Sequence, residues 1–325
     1  MKTEIVKIDS EHIEEDRIRR AGDIIKEGGL VAFPTETVYG LGGDALDADS
    51  SRKIYAAKGR PSDNPLIVHI ADFADLEKIV TEVPKEAVQL ADAFWPGPLT
   101  MILNKNEKVP YETTGGMDTV AIRMPSHPVA LAFIRAGGGY IAGPSANTSG
   151  KPSPTLAEHV ALDLDGKIPM ILRPGYITPE MIEKVIGEVK VDPGIIASDS
   201  AKKPKAPGMK YKHYAPKADL VLVDGESGAV VEKINALAQE MEAQGKKVGI
   251  IATDETEKYY KTGEILSIGA RDDEDAIARH LYRILREFDD MDVEQIYSES
   301  FETPRIGQAI MNRLLKAAGH QVIHV

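Results

Sequence analysis

The sequence predicts an α/β protein with a mixed sheet and helices, followed by a smaller second domain of the same class. Short apolar runs alternate with segments of helical periodicity in the first half of the chain, and the alternation restarts after residue 217. A stretch rich in lysine and proline, Asp199 to Lys217, separates the two regions. The length of 325 residues also corresponds to about two domains of ordinary size.

The composition is that of an ordinary globular protein, with 42% apolar and 28% charged residues. The net charge of −12 disfavours a broad basic surface for nucleic acids, because their phosphates supply most non-specific affinity. The absence of cysteine excludes disulfides, Cys-ligated zinc and a thiol nucleophile. No apolar run has the length of a membrane span or of a signal-peptide core. We therefore expect a cytoplasmic protein that contacts no membrane and does not bind nucleic acid strongly.

In the first domain, periodicity and turn residues predict the elements in order. Apolar residues at helical spacing from 13 to 27, stopped by Gly28 and Gly29, predict the first helix. Further helices are predicted at 50–57 and 129–136. Apolar runs predict extended segments at 30–33, 66–70, 100–103, 120–124 and 138–142. These patterns carry no information on strand order.

The stretch from 199 to 217 predicts an extended linker. From Lys202 onward it holds six lysines, one histidine, no acid and prolines at 204, 207 and 216. After it, strands are predicted at 220–223, 247–252 and 293–297, and helices at 230–242, 275–288 and 306–318. This alternation predicts a smaller α/β domain with a doubly wound sheet. The predicted division is a first domain over 1–198, the linker over 199–217 and a second domain over 218–325.

Lys58 and Arg60 are two cations, one residue apart, in a turn rich in glycine and proline after a predicted helix. Both can point into one cleft, where arginine offers a planar fork and lysine a point charge to phosphate or carboxylate. Taken alone, such a motif is more typical of a solvated surface turn.

The segment from Gly143 to Thr155 combines hydroxyls, an amide and glycines directly after a predicted strand. Such a loop offers backbone N–H groups and hydroxyls to an anion. It is not a Walker A loop, because Ser145 stands where that motif needs glycine. The alternative is a polar loop with a helix N-cap at Ser153 or Thr155.

Residues 34–45 place Thr35, Thr37 and Tyr39 near the end of a predicted strand. Gly40, Gly42 and Ala45 match G-x-G-x-x-A, but the match follows the strand only after six residues and no helix clearly starts there. We therefore reject a dinucleotide fingerprint.

Arg123 ends an apolar run, where a buried cation would need an anion, although arginine is also common at exposed strand ends. His69 lies inside an apolar run, and such a histidine is more often a core residue than a ligand. No His, Asp or Glu cluster has metal-ligand spacing. Any Mg²⁺ would then be held mainly by substrate phosphates and water.

Seven motifs together resemble the two-domain form of the threonylcarbamoyl-AMP synthase family, which has a YrdC-like catalytic domain, a linker and a Rossmann-like C-terminal domain. In order they are PTETVYGLGG, KGRPSDNPL, WPGPLT, VAIRMPSHP, GPSANTSGKPSPT, ILRPG and APGMKYKHYAP. The resemblance covers nearly the whole chain. Each motif alone is weak, whereas seven in the family's order are specific.

The resemblance implies a nucleotidyltransferase reaction. L-Threonine and bicarbonate give a carbamate, which attacks the α-phosphorus of ATP, with Mg²⁺ bound through the ATP phosphates. The products are L-threonylcarbamoyladenylate and pyrophosphate. A partner enzyme then transfers the threonylcarbamoyl group to tRNA.

The resemblance also implies roles for individual residues. The catalytic K-x-R and S-x-N positions match Lys58, Arg60, Ser145 and Asn147. The threonine or carbamate positions match Thr35, His69, Arg123 and Gly143. The ATP positions match Lys58, Ser62, Thr119, Ser145, Ser153, Arg173, Lys210, His213 and Tyr214, the last three in a linker that would close over the site.

One segment departs from the family pattern. Asp163 to Ile168 is followed by only two residues before Ile171, about twenty fewer than in the family. The missing stretch would supply pocket hydroxyls and strands. Two hypotheses therefore stay open, an active synthase and an inactive RNA-binding or regulatory module of the same fold.

Overall fold

A computed structural model describes residues 3–149, 153–154, 157–164, 216–301, 314, 317–318 and 321–325. The described residues fall into two compact units, one ending at Leu164 and the other starting at Pro216. Nearly all of the predicted linker, and the boundary at 198, lie outside the described residues. The domain limits therefore remain a prediction.

The first unit contains six strands and six α-helices among its described residues. The strands are β1 Val31–Phe33, β2 Gly40–Asp44, β3 Ile67–His69, β4 Thr100–Asn104, β5 Thr119–Arg123 and β6 Ile141–Ala142. The helices are α1 Glu15–Lys26, α2 Ala48–Lys58, α3 Lys85–Phe94, α4 Tyr111–Thr114, α5 Pro128–Ala136 and α6 Ala157–Leu164. The elements predicted over this unit are confirmed within a few residues. Strand β2 and the helices α3 and α4 were not predicted, and α6 was anticipated only through its candidate N-cap at Ser153 or Thr155.

The six strands form one mixed sheet in the order β1-β2-β6-β3-β5-β4. Only β3 and β5 run parallel, and they pair His69 with Arg123. The mixed α/β class predicted for this region is thus confirmed. Strand order could not be predicted because β6, late in the chain, inserts between β2 and β3.

Strand β2 was missed because it is rich in glycine, which the rules for strands treat as a turn signal. Its neighbours β1 and β6 explain the glycines, since a Cβ on Gly40 would lie 2.8 Å from the ring of Phe33 in β1. A Cβ on Gly42 would lie 2.8 Å from Ile141. Gly40 and Gly42, which match the dinucleotide fingerprint, lie in this strand and not in a loop before a helix. The structure therefore agrees with the rejection of that fingerprint.

Among its described residues, the second unit has five strands and two α-helices with defined bounds. They are β7 Asp219–Asp224, α7 Ser227–Ala243, β8 Val248–Ala252, β9 Glu264–Ser267, α8 Glu274–Asp290, β10 Gln295–Glu299 and β11 Val322–His324. All strand pairs are parallel, in the order β11-β7-β10-β8-β9. Adjacent residues of β8 show that the sheet is covered on both faces, because Ile250 packs with α7 and Ile251 packs with α8. This confirms the predicted doubly wound sheet.

Candidate active site

Helix α2 places Lys58 at its last turn. The helix begins at the side chain of Asp47, which accepts from the N–H groups of Asp49 and Ser50 at 3.1 and 2.9 Å. It ends at Gly59, whose positive φ of 61° favours glycine. The ammonium of Lys58 donates to the backbone carbonyls of Ser145 and Asn147, and the residue is 1% exposed. The solvated-turn alternative for this motif is therefore wrong.

Burial sets the electrostatics of Lys58. Desolvation, followed by the positive charge of Arg60, holds its pKa well below the ordinary value. The carboxylate of Asp163 opposes this shift. Arg60 is also buried, and it donates to the carbonyls of Asn64 and Pro65 at 3.3 Å each. The two cations therefore lie inside the protein, where charge interactions are stronger than in water.

The loop 143–149 receives Lys58 and is held from several sides. Leu41 donates its N–H to Pro144 O at 2.8 Å, and Ala146 donates to Tyr39 O at 2.6 Å. The hydroxyl of Ser145 donates to Oδ1 of Asn147 at 2.5 Å. The loop thus brings the hydroxyl of Ser145 and the amide of Asn147 close to the ammonium of Lys58.

Three further residues that the resemblance assigns to ATP lie in the described ranges. Ser62 is exposed in the turn after Arg60, and Thr119 starts β5 and is half-buried. Ser153 is buried, and its hydroxyl has no hydrogen-bond partner among the described residues. A buried hydroxyl without a partner is uncommon and is a natural contact for a ligand. Arg173, Lys210, His213 and Tyr214 lie outside the described residues.

A second cluster forms around His69, at the end of β3. Its ring meets Phe33 edge-on, with 5.2 Å between centroids, and a Cβ on Gly143 would lie 3.5 Å from its Cε1. Nδ1 of His69 has no hydrogen-bond partner in the part of the chain the structure describes. Burial, aided by the nearby charge of Arg123, lowers the pKa of His69 to about 3. The imidazole is therefore neutral near pH 7.

Arg123 pairs with His69 across β3 and β5 and is buried. Of the two alternatives considered from the sequence, the structure thus has the buried cation and not the exposed arginine at a strand end. The anion of Arg123 is Glu36, whose Oε1 accepts from Nε at 3.2 Å and also from Nη2. Nη2 also donates to the hydroxyl of Thr37 at 2.9 Å. Thr35 is buried in the same loop and donates to Val38 O at 2.9 Å. Sequence reasoning missed Glu36, although its place between two singled-out threonines was a usable signal.

The two clusters share one loop. Gly143 lies against His69, whereas Ser145 and Asn147, two and four residues later, lie against Lys58. Two residues of extended chain span at most about 7 Å. The two clusters are therefore joined by a short stretch of one loop, from Gly143 to Ser145.

The described residues contain no group of three or more His, Asp or Glu side chains that could hold a metal ion. None of the helices described is both long and apolar enough to span a bilayer.

Sequence comparison gives this geometry its context. The Sua5/YciO/YrdC profile, described as "Telomere recombination", matches residues 23–196. A second profile, described as "Threonylcarbamoyl-AMP synthase, C-terminal domain", matches residues 177–319. The chain belongs to the threonylcarbamoyl-AMP synthase (Sua5/YrdC) family.

Named relatives of this synthase family align over most of their length. Threonylcarbamoyl-AMP synthases of Pyrococcus abyssi and Bacillus subtilis are each 48% identical, over 97% and 95% of this chain and 98% and 95% of their own. The Schizosaccharomyces pombe protein is 35% identical over 89% of this chain and 84% of its own. The P. abyssi alignment runs over 339 positions, more than the 325 residues here, so part of that relative has no counterpart in this chain.

Solved structures agree with the family assignment. A crystal structure of P. abyssi Sua5 complexed with L-threonine matches with a TM-score of 0.93 at 46% identity. The match covers 99% of this chain and 100% of that one. A second structure of the same protein, with alanines at an adjacent His–Tyr pair, also matches with a TM-score of 0.93.

Proposed function

We propose that this chain makes L-threonylcarbamoyladenylate from L-threonine, bicarbonate and ATP and releases pyrophosphate. One observation carries the proposal. The chain matches, over 97% of its length and at 48% identity, a protein named threonylcarbamoyl-AMP synthase. The solved P. abyssi structure with L-threonine supports threonine as the amino acid.

The reaction needs no covalent nucleophile from the protein. The amine of threonine attacks the carbon of bicarbonate, a C–O bond of bicarbonate breaks, and water leaves to give a carbamate. One oxygen of that carbamate then attacks the α-phosphorus of ATP, and pyrophosphate leaves with the electrons of the broken P–O bond. An anion thus approaches a polyphosphate, so catalysis depends on positioning and on compensation of negative charge.

Lys58 and Arg60 would supply that compensation. Their burial supports the role, since cations removed from water interact more strongly with a transition-state charge. The hydroxyl of Ser145 and the amide of Asn147 lie on the loop that Lys58 contacts, and would bind the nucleotide or the carbamate.

The cluster at the end of β3 would hold threonine. Arg123 would take its carboxylate, and Thr35, the neutral His69 and the backbone of Gly143 would surround the rest. The exposed Ser62, the half-buried Thr119, the buried hydroxyl of Ser153 and Arg173 would contact ATP.

The linker would close over the reactants and exclude water. Lys210, His213 and Tyr214 would provide its contacts to ATP. His213 and Tyr214 are the only adjacent His–Tyr pair in this sequence, and such a pair was replaced by alanines in the P. abyssi structure. The closure therefore predicts that substitutions in this pair weaken ATP use.

Mg²⁺ would enter with ATP, bound by the phosphates and by water, as is usual for this ion. We place the enzyme in the cytoplasm, upstream of a transferase that delivers the threonylcarbamoyl group to tRNA. The RNA-binding or regulatory alternative gains no support from the three relatives described above, each of which carries the name of the synthase.

Pyrophosphate release from ATP tests the proposal, with L-threonine and bicarbonate each omitted in turn. Release that requires both is expected, and it would also mean that the shortened segment after Ile168 is dispensable. Binding of ATP without release would assign an essential step to the missing segment. Absence of both would contradict the proposed function, and a tRNA gel shift at about 150 mM salt would then test the alternative.

A further inference from the structure

Glu36 is a charged residue of the candidate site that the proposed reaction leaves without a role. It lies in the loop between β1 and β2, and its side chain is 13% exposed. Among the described residues it supplies the one carboxylate that contacts Arg123. It therefore decides how that guanidinium is presented to a ligand.

The guanidinium of Arg123 is held along one edge. Nε and Nη2 both donate to Oε1 of Glu36, and Nη2 donates its second N–H to the hydroxyl of Thr37. Nη1 makes no hydrogen bond to any residue in the described ranges, and it is not among the fully buried polar atoms without a partner. The two N–H groups of Nη1 are therefore kept for another acceptor and are not sealed from solvent.

Glu36 is itself fixed in place. Its Oε2 accepts the backbone N–H of Ser126 at 3.1 Å, so the two carboxylate oxygens contact residues three apart in the chain. The loop that carries it is also closed locally, because Thr35 Oγ1 accepts from the N–H of Thr37 at 3.2 Å. A carboxylate held in this way can orient a long arginine side chain that would otherwise be free to rotate.

We propose that Glu36 is a positioning residue for the amino-acid substrate: it holds the Nε–Nη2 edge of Arg123 so that Nη1 receives the substrate carboxylate. The inference rests on the proposed function, because it takes L-threonine as the ligand. Binding then requires no search over arginine rotamers, which lowers the entropy cost of association.

Charge gives the pair a second effect. Glu36 compensates Arg123, and the neighbouring His69 is neutral near pH 7, so these three side chains together carry no net charge. Such a pocket suits an amino acid, whose ammonium and carboxylate also compensate each other. A lone buried arginine would instead attract any small carboxylate.

The test compares the full-length wild type with Glu36→Ala and Glu36→Gln. L-Threonine binding is measured by calorimetry, and the KM values for threonine and ATP by pyrophosphate release. We expect Glu36→Ala to weaken threonine binding about tenfold or more, as loss of a charge-assisted contact does. The KM for ATP should change less than about twofold, and turnover at saturating threonine should be largely kept. Glu36→Gln should lie between, since its amide oxygen still accepts from Arg123 but carries no charge.

Glu112→Ala is the matched control, because Glu112 pairs with the exposed Arg52 in the same unit. Its threonine affinity should equal that of the wild type. Tighter threonine binding by Glu36→Ala would overturn the proposal, since Glu36 would then compete with the substrate. Equal increases of both KM values with a lower melting temperature would also overturn it, in favour of a general structural role. If Glu36→Ala does not fold, Glu36→Gln provides the test. The binding of L-threonine and of propionate, a simple carboxylate, is then compared at low salt, and unchanged threonine binding by this variant overturns the proposal.

Failure of the proposed function gives a different result. A wild type that binds L-threonine but releases no pyrophosphate contradicts the synthase assignment and leaves the calorimetric comparison valid. A wild type that does not bind L-threonine contradicts both proposals.

Discussion

Thr148 is bound to Asp163 at two points. Its backbone N–H donates to Oδ2 at 3.1 Å, and its hydroxyl donates to the backbone carbonyl at 3.2 Å. Asp163 lies in the last turn of α6 and is buried, and its charge also acts on Lys58. This contact therefore ties α6 to the loop that Lys58 contacts, just before the segment in which this chain is shorter than the family pattern.

Asp163→Asn should weaken the use of ATP. The substitution removes a charge that raises the pKa of Lys58, so the lysine should lose its proton at a lower pH. The alkaline limb of the pH–rate profile should therefore shift to lower pH. We expect the KM for ATP to rise about tenfold. Steady-state kinetics across pH measure both effects. Asp72→Asn, at an exposed pair with Arg135, is the control, and an unchanged profile in Asp163→Asn would contradict the coupling.

Lys58→Met should abolish most activity and leave the fold intact. The variant removes the ammonium but keeps a side chain of similar length, so turnover should fall by about 10² or more. Lys53→Met is a matched control on the same helix, because Lys53 is exposed and donates to the carbonyl of Gly28. Pyrophosphate release and circular dichroism distinguish the two variants. Equal activity in both would refute the role of Lys58 in charge compensation.

His69 should make the protein less stable in acid. Its pKa is about 3 in the folded protein and about 6.5 when unfolded, so between these values the unfolded chain binds the extra proton. The contribution of the neutral His69 to the free energy of unfolding is complete above about pH 6.5. It is lost as the pH falls toward 3, by at most about 1.4 kcal/mol per pH unit. Urea unfolding of His69→Gln at several pH values should show a shallower acid slope. His12→Gln, at an exposed histidine, should keep the wild-type slope.

Gly143→Ala should cost stability because of one aromatic ring. A Cβ there would lie 3.1 Å from Cε1 of Phe33, so the ring must move by a few tenths of an ångström. We expect a loss of about 1 kcal/mol in the free energy of unfolding, in the range of mild overpacking. In a Phe33→Leu background the same substitution should be nearly neutral. An equal cost in both backgrounds would show that the ring is not the cause.

Sequence patterns predicted many of the elements whose signal lies in their own residues. The helix Glu15–Lys26 has apolar residues at helical spacing and a glycine stop, and the structure confirms it. The strand Gly40–Asp44 was not predictable in this way, because its glycines reflect the ring of Phe33 on a neighbouring strand. The information lies in a contact between strands and not in the strand itself.

The same distinction holds for the site. The pairing of two cations in K-x-R was visible in the sequence, but their burial was not, since it depends on the carbonyls of Ser145 and Asn147 nearly ninety residues away. The need of Arg123 for an anion was also predictable. The identity of that anion, Glu36, was not predictable, because it depends on how β3 pairs with β5 and on where the loop after β1 lies.

The two-residue strand β6 has a consequence for how the protein is made. Residues Ile141 and Ala142 pair with β2 on one side and β3 on the other, and so join the two halves of the sheet. During synthesis both halves leave the ribosome before β6 does, with exposed strand edges that later contacts must cover. Gly143 follows β6 at once, so the loop that contacts Lys58 takes shape only when the sheet closes. A nascent chain that cannot yet complete its sheet should therefore be unable to bind ATP.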